Sequence, residues 1–133
     1  MTLLLQPRLP GTLPSPKDAR KNLLDSKVQL AQARAALETM REARKVAAEQ
    51  LADADDERAG ALADFEDANT PGSTARYVAA VELVRERETD LAGAKLAVKE
   101  ARASLKKALA RRRAADEDFL AIAHGRRIER TDA

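Results

Sequence analysis

Cysteine is absent from the 133 residues, histidine occurs once, and aromatic side chains make up 2 % of the chain. The first absence excludes a disulfide framework and a thiolate metal site. The lone His124 leaves too little for a histidine-based metal site or for acyl-transfer catalysis, so no catalytic, cofactor-binding or metal-binding residue is expected and the chain reads as a non-enzyme. With three rings and few β-branched residues beyond a handful of valines, strand-forming segments are hard to find, which argues against a sandwich or barrel. Long apolar runs are missing too. Charges recur every few positions, so nothing approaches the roughly 18 to 20 residues of a spanning helix. The start MTLLLQPRLP has no charged leading region and is interrupted by Pro7 and Pro10, so a secretory signal peptide is not expected. A cytoplasmic place in a bacterial host, or a virion-associated one, is the expected location.

What is present is alanine and charge. There are 29 alanines, 24 Lys plus Arg and 22 Asp plus Glu, for a formal net charge of +2. Large apolar residues are sparse, but with so small a net charge the composition fits long helices better than disorder. Arg outnumbers Lys by 16 to 8. Together with the alanine excess, that bias points to a GC-rich bacterial or bacteriophage genome.

The expected fold is all-α: a long antiparallel two-helix coiled-coil hairpin behind an extended Pro/Leu-rich N-terminal arm. Residues 1–15 form the arm, because Pro7, Pro10, Gly11 and Pro14 stop any helix or central strand. Ser15 can cap, Pro16 suits the first helical position, and Asp18 stands where a capping-box acid reaches back. The only strong breaker cluster inside the chain is Asn69 to Thr74, with Thr70 or Ser73 as the next cap. Helices are therefore expected at about 16–68 and 72–124, with a turn at 69–74. Each would be roughly 75 Å long at 1.5 Å per residue. Gly125 offers a left-handed stop, leaving 125–133 as a basic C-terminal tail.

Both helices carry a seven-residue repeat. In the first it runs Leu23, Leu30, Leu37, Arg44, Leu51, Arg58, Phe65, with Ser26, Ala33, Met40, Ala47, Ala54, Ala61 and Ala68 three residues on. The second repeats it as Tyr77, Val84, Leu91, Val98, Leu105, Arg112, Phe119, with Ala80, Arg87, Ala94, Ala101, Ala108, Ala115 and Ile122. A fold-back at Gly72 and Ser73 would pair residues whose numbers sum to 145, placing Phe65 on Ala80, Leu51 on Ala94, Leu37 on Ala108 and Leu30 on Ala115. That register sets bulky side chains against methyl groups, but it also opposes Arg58 and Arg87.

Two surfaces stand out. The arm leucines Leu3, Leu4, Leu5, Leu9 and Leu13 are candidate partner-binding anchors, since a proline-stiffened strand loses little entropy on docking. Lys95, Lys99, Arg102, Lys106 and Arg113 follow helical spacing and share a face, making them candidate contacts to phosphate or to an acidic partner. Charge is also segregated: residues 49–90 hold 12 acidic and 4 basic side chains, while 1–48 hold 9 basic and 4 acidic and 91–133 hold 11 and 6. Asp53, Asp56 and Glu57 can share a helical face, a weak cation motif without a second ligand set.

The expected function is that of a structural or assembly protein working by helical packing as a homo-oligomer or a subunit of a larger complex, most concretely a bacteriophage virion component of the neck, tail or capsid. The alternatives are a nucleic-acid-associated protein using the basic open end of the hairpin, and a helical chaperone or regulator that binds a protein partner.

Overall fold

The computed structural model describes residues 13–132, with side chains through residue 125. Two helices account for nearly all of this: α1, Pro16–Asp67, and α2, Pro71–Asp132, packed as an all-α hairpin. Among the described residues there is no strand.

The start of α1 follows from its first residues. Ser15 Oγ accepts a hydrogen bond from the Asp18 amide at 3.2 Å, and the Ser15 carbonyl accepts the first helical bond from Ala19 at 2.8 Å. Pro16 donates nothing and loses nothing there. At the second start Thr70 is the cap. Its Oγ1 accepts from the Ser73 amide at 3.1 Å, and the Thr70 amide donates back to Ser73 Oγ at 2.9 Å, a reciprocal box with serine at the third helical position. Ser73 Oγ also donates to the Ala68 carbonyl at 2.6 Å, which ties the end of α1 to the start of α2.

Two expected boundaries are corrected by these contacts. The connection is residues 68–70 alone, because Ser73 and Thr74 lie inside the first turn of α2 and serve its cap, so the turn is not 69–74. The stop expected at Gly125 does not occur: α2 runs on to Asp132, so residues 125–132 are helix and not a separate tail. Gly125 has no left-handed φ, and no proline follows it to end the hydrogen-bond ladder.

The described residues divide into two units, 13–36 with 101–132, and 37–100. Letter each seven-residue repeat so that Leu23 and Tyr77 stand at a, and Ser26 and Ala80 at d. In the first unit, the open-end unit, the core is Ala19, Ser26, Leu30, Ala101, Ala108 and Ala115. In the second, the turn unit, it is Leu37, Ala47, Ala54, Ala61, Ala80, Val84 and Val98, with Val84 and Val98 the largest fully buried side chains. Every one of these stands at a or d. Alanine does most of the burying. The expected seam fails at three places: Arg44 is exposed, Ala68 is exposed in the connection, and Phe119 is 41 % exposed although it stands at a. The guanidinium gains more from water than from a methyl-lined seam.

Because Ala61 is fully buried and Ala63 is exposed on the same helix, they separate packing from propensity. Ala61→Leu should lower stability by about 1–3 kcal/mol through overpacking, while Ala63→Leu should stay within about 0.5 kcal/mol, as read by thermal melting. Equal melting of the two would contradict a close seam. Thr70→Ala removes the reciprocal cap and should cost about 1 kcal/mol in the same measurement.

Candidate interaction surfaces

The register decides which side chains meet, and Arg76 fixes it in the turn unit. Its Nε donates to Glu57 Oε1 at 3.0 Å, and its Nη1 pairs with Asp64. The hydrogen bond to Glu57, then the negative charges of Glu57 and Asp64, hold this guanidinium above its usual range. In a register summing to 145, Arg76 would stand level with Asn69, and Glu57 would lie twelve residues, about 18 Å, along the helix. No arginine spans that. A three-residue connection centred on Asn69 gives a sum of 138 instead, which puts Arg76 level with Leu62 and brings both carboxylates within about 8 Å along the axis. Phe65 and Tyr77, whose rings stack at 5.7 Å between centroids, lie between layers in either register and do not separate the two.

The open-end unit reports the same register independently. Arg111 Nη1 donates to Gln29 Oε1 at 3.2 Å, and both stand at g, whose partners across a 138 seam sum to 140. Two shallow clefts run along this edge, one between Gln29, Ala33 and Ser104, Ala108, the other between Asn22, Ser26 and Ala115, Asp118. Ser26 is buried and its Oγ donates to the Leu23 carbonyl at 2.7 Å, while Asp118 is buried beside it on the cleft wall.

The 145 register is therefore corrected by one heptad. Leu30 stands level with Ala108 rather than Ala115, Leu51 with Arg87 rather than Ala94, and Phe65 with Ser73 rather than Ala80; the expected pairing of Leu37 with Ala108 rested on the same register. The layer opposing Arg58 and Arg87 disappears. Arg58 stands level with Ala80 and pairs with Asp55 at 3.1 Å, and Arg87 pairs with Asp90 at 3.3 Å, each within its own helix. Arg112 does likewise with Asp116 at 3.3 Å. These pairs are solvent-facing, so they relieve the desolvation of seam cations more than they add stability.

The expected site residues fall out as follows. Leu3, Leu4, Leu5 and Leu9 lie outside the described residues, while Leu13 is exposed just before the Ser15 cap. Lys95, Lys99, Arg102, Lys106 and Arg113 are all exposed on α2 at positions e and b, the first two in the turn unit and the others in the open-end unit. None is in an ion pair among the described residues. His124 is exposed, and Glu57 of the acidic trio is held by Arg76. Among the described residues no group of three His, Asp or Glu side chains is placed to hold a metal ion, and no helix is long and apolar enough to cross a membrane.

Sequence reasoning missed a second basic row. Arg20, Lys27 and Arg34 repeat every seven residues at e of α1, and all three are exposed. In an antiparallel pair the e positions of both helices flank one edge and the g positions the other. The 138 register sets Arg34 level with Arg102 across the e edge of the open-end unit. The signal was the seven-residue spacing itself. No protein-family model, curated protein or solved structure matches this chain.

The absence of cysteine makes the register directly testable. The pair Leu30→Cys with Ala108→Cys should cross-link under mild oxidation, and the pair Leu30→Cys with Ala115→Cys should do so far more slowly, since it lies seven residues, about 10 Å, out of level. Non-reducing electrophoresis reads the difference. The reverse order would restore the 145 register.

Proposed function

We propose that the protein is a non-enzymatic structural or assembly protein that works by helical packing against other subunits. The observation that carries this is the apolar surface left uncovered. Leu13, Leu24, Val28, Val46, Leu62, Val78, Leu96, Leu109, Phe119 and Leu120 are all exposed, in a protein whose seam is lined mainly by alanine. A two-helix seam has no further layer with which to cover them, and several on one edge amount to an interaction surface rather than scattered singles. The clefts are open and shallow, lined largely by amide, charged and methyl groups. That suits packing against a surface better than enclosing a small substrate.

The concrete form of this proposal is a bacteriophage virion component of the neck, tail or capsid. Its support is compositional: the 16 to 8 excess of Arg over Lys, the 29 alanines and the small size. The leucines of the arm are part of the same reading, as anchors on a neighbour, each contributing on the order of 1–2 kcal/mol when buried.

The test is deletion of residues 2–14. Ser15 holds the cap of α1 from outside the deleted segment, so the helical circular dichroism should be preserved. Assembly, followed by sedimentation velocity, should be lost or sharply weakened. Unchanged assembly would remove the arm from the interface. A monomer at every concentration, with no partner protein recovered, would remove the assembly reading itself.

A further inference from the structure

The e edge of the open-end unit carries Arg20, Lys27 and Arg34 from α1 and Arg102, Lys106 and Arg113 from α2, all exposed. Antiparallel pairs ordinarily set opposite charges across this edge. Here Arg34 stands level with Arg102, Lys27 with Leu109 and Arg20 with Asp116, whose carboxylate is taken by Arg112 at 3.3 Å, so no described carboxylate pairs with any of the six. The other edge is different in kind. Its α1 residues in this unit, Asn22, Asp25, Gln29 and Gln32, include no cation. The cations of the other edge come from α2 alone, Lys107 and the Gln29-bound Arg111, so the like charges concentrate at e and b, an arrangement that an anion from outside would relieve.

Apolar side chains mark the same edge. Leu24 is 53 % exposed, Leu109 42 % and Leu120 65 %, and all three stand at e or b among the cations. In the turn unit the e and b positions show a related combination: Leu62 and Val78 are exposed, with Glu66 one turn from Leu62 and Glu88 about 15 Å along α2 from Val78. Residues 49–90 carry 12 acidic and 4 basic side chains.

We propose that the cationic edge of the open-end unit docks on the acidic turn segment of a second copy of this chain. Leu24 and Leu109 pack near the partner copy's counterparts of Leu62 and Val78, and the arginine rows face its carboxylates. The proposal rests on the assembly reading and names its occupant. Charge complementarity and the leucines favour a protein over a nucleic acid. Phosphates would satisfy the cations but would press Leu24, Leu109 and Leu120 against a hydrated polyanion, and no aromatic ring stands between the cations to stack on bases.

The test is sedimentation of the full-length chain at low and high salt, with two exposed charge-reversal variants, Arg34→Glu/Arg102→Glu and Glu66→Lys/Glu88→Lys, checked for helicity. The unsubstituted chain should associate at low salt and dissociate as salt rises. Each variant alone should associate roughly tenfold or more weakly, and an equimolar mixture of the two should recover association, because each then presents the charge the other needs. Association that ignores salt and both variants, or a mixture that fails to recover, overturns the proposal while the assembly reading stands. A labelled DNA duplex is titrated in parallel. If Arg34→Glu/Arg102→Glu abolishes duplex binding and leaves self-association intact, the edge serves nucleic acid and the proposal is wrong. A chain that stays monomeric at every salt and binds no partner protein removes both readings.

Discussion

The three-residue connection between Asp67 and Pro71 is the constraint from which the arrangement of the hairpin follows. Both helices repeat every seven residues, so the seam alone accepts any slide of one heptad: large still meets small at 145 and at 138. Only the turn breaks the tie. Thr70 and Ser73 close a reciprocal cap, and Ser73 reaches back to the Ala68 carbonyl, leaving no slack to feed residues from one helix into the other. Once the turn is centred on Asn69, Arg76 meets Asp64 and Glu57; within the open-end unit Arg111 meets Gln29 in the same register. A local backbone preference selects among tertiary alternatives that hydrophobic burial leaves equivalent.

Alanine at the seam explains both the closeness of the helices and the exposure elsewhere. A methyl group lets the backbones approach but removes little area from water, so burial of Ala19, Ala61 or Ala108 stabilises less than burial of a leucine would. Among the described residues only four bulky ones reach the core as fully as the alanines do: Leu30, Leu37, Val84 and Val98. Leu24, Leu96 and Leu120 stand outside the a and d positions and keep their surface exposed.

Much of the fold was legible in the sequence because its signals are local or strictly periodic. Ser15, Pro16 and Asp18 announce the start of α1, and the core residues fall on the repeat that begins at Leu23 and Tyr77. What was not legible was phase. Ser73 could close one loop or cap the next helix, and the choice depends on which partner its hydroxyl finds in three dimensions. Gly125 could stop a helix or pass through it, since glycine permits both backbone states. The basic row Arg20, Lys27 and Arg34 was hidden for another reason: with seven-residue spacing and other charges between, each looks like an ordinary solvated cation until the register brings the row beside Arg102 and Arg113.

The two edges of the seam solve the same problem in different ways. At g, the exposed cations find acceptors across the hairpin, as Arg76 does with Glu57 and Asp64 in the turn unit and Arg111 with Gln29 in the open-end unit. At e of the open-end unit, Arg34 faces Arg102, and Asp116, level with Arg20, pairs with Arg112 instead. A hairpin selected for its own stability alone would gain by replacing Arg34 or Arg102 with glutamate, which turns repulsion across the seam into attraction at no cost in helix propensity. Keeping both positive gives up that attraction, a loss kept small only because water and salt screen the charges. What the arrangement retains is a mainly cationic strip with leucines set into it, a surface whose electrostatic and apolar needs are met most fully from outside its own two helices.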